Sequence, residues 1–70
     1  MDDIFVERFK SLRKDSGLSQ VQLANELDLS SGFIADIELG TTQISVKNLV
    51  AIADFFDTSP DYLLGYKDIK

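Results

Sequence analysis

Residues 19–40 read SQVQLANELDLSSGFIADIELG, and this stretch decides the fold. Its first residue, Ser19, is followed three positions later by Gln22, which is the capping-box pattern of a helix N-terminus. Apolar residues then recur at the spacing of a helix that buries one face. The first part of the stretch therefore predicts a short helix at residues 20–27.

The second part of the stretch predicts another short helix after a tight turn at Asp28-Leu29. Ser30 is a candidate N-cap for this helix. Gly40 is typical of the residue that ends a helix in a left-handed conformation. We therefore expect a helix at residues 31–39, set at an angle to the first.

Apolar spacing and end signals predict three more helices outside this pair. Phe5, Phe9 and Leu12 stand at i, i+4 and i+7 and form one apolar stripe, which Asp2 or Asp3 can cap. The other start and stop signals are Gly17, Ser45, Ser59-Pro60 and Gly65. In chain order the predicted helices are 3–15, 20–27, 31–39, 46–56 and 60–64, and residues 66–70 are expected to fray. The chain has no alternating β pattern, so it is predicted to be all-α.

The composition limits the chemistry that the chain can perform. Its 70 residues include 12 acidic and 7 basic side chains, with a formal net charge of −5, and neither histidine nor cysteine. This length predicts a single domain over residues 1–70. Without histidine or cysteine there is no catalytic triad, no thiol nucleophile, and no thiolate or imidazole ligand for a metal. We therefore expect no enzyme, no cofactor and no metal.

The sequence also gives no sign of a membrane span or a signal peptide. The longest apolar run, Leu49–Ala53, is far shorter than the roughly 20 residues that a spanning helix needs. Acidic residues open the chain, whereas a signal peptide begins with basic ones. A cytoplasmic protein without a membrane partner is expected.

The two helices of residues 19–40 form a helix-turn-helix unit, and the chain resembles the Cro and lambda-repressor type (XRE-like) family of helix-turn-helix regulators. The matching residues are Leu18-Ser19-Gln20, Leu23-Ala24, Leu27-Asp28-Leu29-Ser30, Ile34, Ile37-Glu38, Gly40, Leu49, Ile52-Ala53 and Asp61-Tyr62-Leu63-Leu64-Gly65. The resemblance implies an all-α, five-helix lambda-repressor-like domain. It also implies a sequence-specific regulator of transcription, expected to be a repressor, that binds double-stranded DNA with helix 31–39 in the major groove.

The resemblance, together with the distribution of charge, assigns roles to individual residues. The expected base-facing residues are Ser31, Gly32, Phe33 and Asp36. The expected phosphate contacts are Gln20, Thr41, Thr42, Gln43, Lys47, Lys10 and Lys14, with Arg8 as a further source of positive charge. Each position has a plainer alternative: Gln20 and Lys47 as ordinary exposed residues, the threonines as part of a polar loop. For Phe33 the alternative to a thymine-methyl contact is packing at the helix edge.

Two further sets of residues are expected to be structural or to join subunits. Arg13 and Glu38 resemble an internal ion pair of the family that links the first helix to the third. Regulators of this type are usually two-fold symmetric, so a homodimer is expected. Its candidate contacts are Tyr62, Leu63 and Tyr66, unless Leu63 or Leu64 simply closes the core.

The distribution of charge supports a second interpretation. Residues 15–46 hold five acidic side chains and no basic one, although phosphate neutralisation supplies most non-specific affinity for DNA. Asp28, Asp36 and Glu38 suggest an acidic outer face suited to a basic protein partner, unless that face is merely solvated. The alternative is therefore a protein-interaction or antitoxin-like module with the same fold and little affinity for DNA.

Overall fold

The computed structural model describes residues 3–69, which form five α-helices. These are α1 (Asp3–Asp15), α2 (Gln20–Leu27), α3 (Ser31–Leu39), α4 (Val46–Phe55) and α5 (Pro60–Leu64). No strand occurs within residues 3–69, so the predicted all-α, five-helix fold is confirmed. Asp2, one of the two candidate caps of α1, lies outside the described residues.

Helix α4 ends one residue earlier than predicted. Phe56 is its C-cap, with φ −89° and ψ 6°, rather than its last residue. The next residue, Asp57, has a positive φ of 55°, which takes the chain out of the helix. A sequence pattern of apolar spacing does not register this backbone change, because Phe56 still packs against the core.

Serine hydroxyl groups begin four of the helices, as the sequence predicts. Ser19 Oγ accepts a hydrogen bond from Gln22 N at 3.1 Å, and Gln22 Oε1 accepts one from Ser19 N at 2.8 Å, which completes the capping box. Ser30, Ser45 and Ser59 cap α3, α4 and α5 through one such bond each, since their hydroxyl oxygens accept from the backbone N–H groups of Phe33, Asn48 and Tyr62. Each cap satisfies a backbone N–H group that has no partner within the helix.

The core fixes α3 against two other helices. The fully buried side chains Phe5 and Phe9 of α1 lie with their ring centroids 6.0 Å apart, and α1 packs on α3 and α5. From α3, Ile34 and Ile37 are fully buried, while α2 packs on both α3 and α4. Helix α3 is therefore anchored along one side and free to present the other.

The C-terminal segment contacts α1 through Lys67 and Asp68, and the fraying expected for residues 66–70 stays a prediction. The guanidinium of Arg8 donates to the carbonyl oxygens of Tyr62 and Lys67, at 2.5 and 2.6 Å, and lies 3.6 Å from the Asp68 carboxylate. It also stacks 4.2 Å from the ring centroid of Tyr62. Arg8 is therefore held at the C-terminal segment, and its contribution of charge to DNA binding stays a prediction. Lys70 lies outside the described residues.

Helix length bears on the question of a membrane span. The longest helix, α1, has 13 residues. Within residues 3–69, no helix has both the length and the apolar character to cross a bilayer.

Candidate nucleic-acid interface

The outward side of α3 is a narrow, exposed stripe. Gly32, Asp36 and Leu39 stand at i, i+4 and i+7 and are all exposed, with Ser31 beside them at the start of the helix. Leu39 is 73% exposed. No other part of the described chain covers this stripe, so it is available to a ligand.

Gly32 makes the first turn of α3 especially open. A Cβ atom added at this residue would meet no other atom within 4 Å, apart from the local backbone. The residue therefore lies at the surface and lets another molecule approach the helix backbone closely. The expected base-facing residues Ser31, Gly32 and Asp36 are all on this open stripe.

Phe33 does not belong to the stripe. Its side chain is half-buried and packs against the hydrophobic core. It follows Gly32 directly, so it lies about 100° around the helix from that residue and next to the buried side of α3. The contact with the core favours the packing alternative, and the role of Phe33 in facing a base stays a prediction.

Glu38 and Arg13 form the ion pair that the resemblance implies, linking α1 to α3. Arg13 Nε donates to Glu38 Oε2 at 2.5 Å and Arg13 Nη2 to Glu38 Oε1 at 3.0 Å, with side chains only 12% and 6% exposed. Arg13 Nη1 also donates to the carbonyl oxygen of Leu18 at 2.9 Å. The two parallel hydrogen bonds form the planar geometry that arginine offers a carboxylate. The pair fixes the angular position of α3 on α1.

The surroundings of this pair shift both pKa values towards the charged forms. Burial alone raises the pKa of Glu38, but hydrogen bonds from Arg13 and Gln20 and the positive charges of Arg13 and Lys10 outweigh it, so the pKa is lowered. The hydrogen bond to Glu38 is the largest cause of a raised pKa for Arg13. Glu38 is therefore a buried carboxylate in its charged form, and the positive charge of Arg13 balances it. It does not belong to an acidic outer face.

A surface cavity of about 330 Å³ lies beside the ion pair, where α1, α2 and α3 meet. Its lining residues are Lys10, Arg13, Lys14, Gln20, Ala35, Glu38 and Leu39. Since Arg13 and Glu38 neutralise each other, Lys10 and Lys14 give the cavity a net positive charge. The N-terminus of α2 opens on it at Gln20, and a helix N-terminus favours an anion. The cavity is therefore suited to an anion such as a phosphate group.

Gln20 is the most constrained of the predicted phosphate contacts. It is half-buried, and its Nε2 donates to Glu38 Oε1 at 3.2 Å. This bond uses one of two amide hydrogens, so one remains for a phosphate. Phosphate contact by Gln20 stays a prediction. In such a contact, Gln20 Nε2 would donate one hydrogen to Glu38 and the other to the anion.

The loop after α3 is polar, but its hydroxyl groups already have partners. Thr41 Oγ1 donates to the carbonyl oxygen of Asp36 at 3.3 Å, and Thr42 Oγ1 lies 3.4 Å from the carbonyl oxygen of Gln43. These are long hydrogen bonds, so either hydroxyl can rotate towards a phosphate at small cost. Thr41 and Gln43 are exposed, whereas Thr42 is half-buried.

The structure does not gather all of the predicted cations in one place. Lys10 and Lys14 lie together at the cavity, four residues apart on α1. Lys47 is exposed in the first turn of α4 and is not among the residues that line the cavity. The cations among the predicted phosphate contacts therefore form one cluster, Lys10 and Lys14, and one separate residue, Lys47.

The predicted dimer contacts differ in exposure. Leu63 has 0% exposure and belongs to the core, so its expected role in a dimer is wrong and the alternative, closure of the core, is correct. Tyr62 is half-buried under Arg8. Only Tyr66, which is 79% exposed, is fully available.

Sequence reasoning missed two residues of this interface. Ala35 and Leu39 line the cavity on the α3 side. The spacing of seven residues between Gly32 and Leu39 is the sequence signal that places Leu39 on the exposed stripe.

The two short capped helices α2 and α3, joined by a tight turn, form a helix-turn-helix motif. Its second helix is open to solvent beside a positively charged cavity. The chain belongs to the helix-turn-helix family, whose pattern it matches over residues 9–63. This membership confirms the resemblance noted in the sequence and the prediction that the chain is not an enzyme.

Among its relatives is the control protein C.BamHI of Bacillus amyloliquefaciens, 34% identical over 67 residues, or 94% of this chain and 83% of the relative. The immunity repressor protein of Bacillus phage phi105 is 43% identical over 59 residues, or 84% of this chain and 41% of the relative. The HTH-type transcriptional regulator PrpR of Mycobacterium tuberculosis is 35% identical over 63 residues, or 90% of this chain and 13% of the relative. The chain thus spans less than two thirds of the last two relatives. No solved structure matches it significantly.

Proposed function

We propose that this protein is a sequence-specific regulator of transcription, and most simply a repressor, that binds double-stranded DNA. The observation that carries this proposal is the open stripe of α3 beside the positively charged cavity. Membership of the helix-turn-helix family and relatives named as regulators or repressors support it. In this function α3 enters the major groove and the cavity holds a backbone phosphate.

The cavity accounts for affinity and the α3 stripe for sequence preference. Lys10 and Lys14 neutralise a phosphate that the N-terminus of α2 and the second amide hydrogen of Gln20 help to orient. Lys47 and the loop of residues 41–43 remain further predicted contacts to the backbone. Because a phosphate fixes the register of the protein on the duplex, the cavity determines which bases α3 meets.

Asp36 is the residue of α3 with the clearest base preference. Its carboxylate is exposed and can only accept hydrogen bonds when it is ionised, so it matches the N4 amino group of cytosine in the major groove. It also repels phosphates, which weakens binding to unrelated sequences. Asp36 therefore contributes to specificity at the cost of general affinity.

The active form is proposed to be a cytoplasmic homodimer. Two-fold symmetry places the recognition helices about 34 Å apart, so that they enter successive major grooves on one side of the duplex. The proposed operator is accordingly an inverted repeat with half-sites one helical turn apart.

Selection of binding sequences from a random duplex library, followed by fluorescence anisotropy at low and moderate salt, tests this function. We expect a single inverted-repeat motif with a cytosine at one position of each half-site. Lys10→Glu with Lys14→Glu should abolish binding, whereas Lys67→Glu, at the far end of the chain, should not. Recovery of no motif, with no binding even at low salt, would overturn the proposal.

Substitution of Asp36 checks which face of α3 meets the DNA. Asp36→Lys should tighten binding to all duplexes and remove the preference for cytosine, because it replaces a repulsive charge with an attractive one. Asp61→Lys makes the same change in charge on α5 and should affect binding much less. Equal effects from the two variants would show that α3 is not the contacting helix.

The protein-interaction alternative retains one supporting observation, which is that Asp28 and Asp36 are exposed within a region that has no basic residue. The structure removes Glu38 from the acidic face on which that alternative relied. A basic protein partner is therefore the favoured outcome only if the selection experiment finds no DNA motif.

A further inference from the structure

Leu39 lies where the exposed stripe of α3 meets the positively charged cavity. The stripe consists of Ser31, Gly32, Asp36 and Leu39, and of these four residues Leu39 is the one that also lines the cavity. Its side chain is 73% exposed, so most of it is available for contact with a ligand. Single exposed leucines are common on protein surfaces, so the position of Leu39, rather than its exposure, is informative.

The position of Leu39 along α3 corresponds to the edge of a groove rather than to its floor. Seven residues separate it from Gly32, which is about 10 Å along the helix axis. The N-terminal residues of a recognition helix are those that contact base edges most directly. Leu39 is the last residue of α3 and lines the cavity in which the proposed function places a backbone phosphate. It therefore faces the part of the groove next to the sugar-phosphate backbone.

Three residues of α3 line the cavity, and Leu39 is the one that is both long and free of a partner on α1. Ala35 carries only a methyl group, and Glu38 is hydrogen-bonded to Arg13. One turn before Ala35, Gly32 has no side chain and no atom within 4 Å of an added Cβ, so a duplex can approach α3 closely. Close approach brings the side chain of Leu39 within reach of a base at the groove edge.

The chemistry of leucine selects one feature of the major groove. A leucine side chain cannot donate or accept a hydrogen bond, so it gains only by burying apolar surface. The C5-methyl group of thymine is the apolar feature that base pairs present in this groove, and C5 is the part of a pyrimidine's major-groove edge that lies nearest to the backbone of its own strand. A polar base edge beside Leu39 would lose water without gaining a hydrogen bond. The position therefore favours thymine.

We propose that Leu39 is a specificity-determining residue that contacts the C5-methyl group of a thymine next to the phosphate held in the cavity. The contact depends on the proposed function, because it requires α3 to lie in the major groove. It adds a preference for thymine to the preference for cytosine that Asp36 supplies. A 5-methylcytosine carries its methyl group at the same position and satisfies the same contact, whereas deoxyuridine and unmethylated cytosine lack the group.

Duplexes that differ by one methyl group test this contact. Each thymine of the duplex selected from the random library is replaced in turn by deoxyuridine, which pairs in the same way and lacks only the methyl group. Fluorescence anisotropy should show that replacement at one thymine of a half-site weakens binding about fourfold, the effect of one buried methyl group. At the same position, a pair of 5-methylcytosine with guanine should bind about fourfold more tightly than a pair of cytosine with guanine.

Variants of the protein assign this preference to Leu39. Leu39→Ala should bind the thymine and deoxyuridine duplexes equally, because its side chain is too short to reach the methyl group. Leu39→Met keeps a long apolar side chain and should keep the preference. Val21→Ala is the matched control: Val21 is 57% exposed on α2 and does not line the cavity, so this variant should also keep the preference. Circular dichroism should show unchanged helix content for Leu39→Ala and Leu39→Met, since both replacements are good helix formers.

A second scan of the same duplex locates the phosphate. Each phosphate is replaced in turn by an uncharged methylphosphonate, and the phosphate held in the cavity is the one whose replacement weakens binding by the wild type but not by Lys10→Ala with Lys14→Ala. The thymine that responds to deoxyuridine should lie on the same strand, within one nucleotide of this phosphate.

The outcomes separate this contact from the proposed function. Equal binding of the thymine and deoxyuridine duplexes at every position would rule out the contact and leave the DNA-binding proposal standing. A preference that persists in Leu39→Ala, or a responsive thymine far from the located phosphate, would rule it out in the same way. Failure of the wild type to bind any duplex would instead overturn both proposals.

Discussion

Arg13 and Glu38 are a charged pair with little exposure to solvent, an environment in which most side chains are apolar. Their side chains are 12% and 6% exposed, and Gln20 and Leu18 supply further hydrogen bonds. Removing two charges from water costs several kcal/mol per ion, which the attraction and hydrogen bonds only roughly repay. The value of the pair therefore lies in fixing α3 on α1 rather than in net stability.

That reasoning predicts a strong asymmetry between single and double variants. Arg13→Met should lower the free energy of unfolding by about 3 kcal/mol, because it leaves Glu38 buried without a partner. Arg13→Met combined with Glu38→Met should recover most of this loss, since both charges are removed together. Urea unfolding at pH 7 measures each value. Additive effects of the two single variants would contradict a coupled pair.

The lowered pKa of Glu38 predicts the pH dependence of the same interaction. The folded protein binds a proton at Glu38 less readily than the unfolded chain, whose glutamate pKa is about 4.3. The stabilisation is therefore fully present above that value and is lost as the pH falls through the lower, folded-state pKa. The difference in free energy of unfolding between wild type and Glu38→Gln should be constant from neutral pH to about 5 and shrink in more acidic solution. A difference that grows on acidification would contradict the assignment.

Single residues are also where prediction from sequence was least successful. Helical spacing shows that Phe33 stands between the buried and exposed sides of α3, but only the packed core shows which side it takes. Leu63 has adjacent apolar neighbours in a short helix, so spacing cannot tell which of them closes the core. The partners of Arg8 are carbonyl groups 54 and 59 residues away, which no local pattern encodes.

At the scale of elements, the ends of the helices were predictable because their signals are local. A serine hydroxyl caps the helix that begins at the next residue, and a glycine adopts a positive φ where the chain turns out. Asp28 has the same left-handed backbone conformation as these glycines, although it is not a glycine. It ends α2 with φ 57° and ψ 42°, a left-handed conformation that glycine adopts without strain.

Asp28→Gly should therefore stabilise the protein by up to about 1 kcal/mol, because it relieves the left-handed strain of a residue with a Cβ atom. It also removes a negative charge from the negative end of the α2 dipole. Glu26→Gly, inside the same helix, is the matched control and should destabilise by about 1 kcal/mol. Thermal unfolding compares the two variants. A loss of stability in Asp28→Gly would show that the carboxylate has a role that its geometry does not reveal.

At the scale of the whole molecule, the folded structure leaves few cations for DNA. Arg8 is bound to the C-terminal segment and Arg13 to Glu38, so Lys10 and Lys14 are the free bases of the described chain that lie at the interface. The net charge of −5 adds a general repulsion from nucleic acid. Binding must therefore depend more on fit and on hydrogen bonds than on attraction between net charges.

One neutralised phosphate per protomer predicts a shallow salt dependence. The slope of log K against log salt concentration should be about −1 per protomer, or about −2 for the dimer. A slope near −2 per protomer would mean that Lys47 contacts a second phosphate, as the sequence predicts. Anisotropy titrations with the selected duplex at several salt concentrations measure this value.

The outer side of α3 was predictable from the sequence, but the set of residues that line the cavity was not. The sequence places Ser31, Gly32 and Asp36 on the outer side of α3, and the structure exposes all three. It could not place Lys10 and Lys14 beside Gln20, because that cluster depends on how α1 crosses the start of α2. Tertiary packing, rather than the motif itself, assembles the positively charged cavity.

Helix α1 carries one tethering guanidinium on each side, Arg8 towards α5 and Arg13 towards α3. The motif that gives the family its name is therefore not an autonomous unit in this chain. A peptide of residues 19–40 would contain helices of only eight and nine residues, without the scaffold on which they rest. Segments that short are marginal as isolated helices in water, so its circular dichroism should be that of a largely unfolded peptide. Transfer of the exposed stripe of α3 to another protein would therefore also require α1, which holds α3 in place.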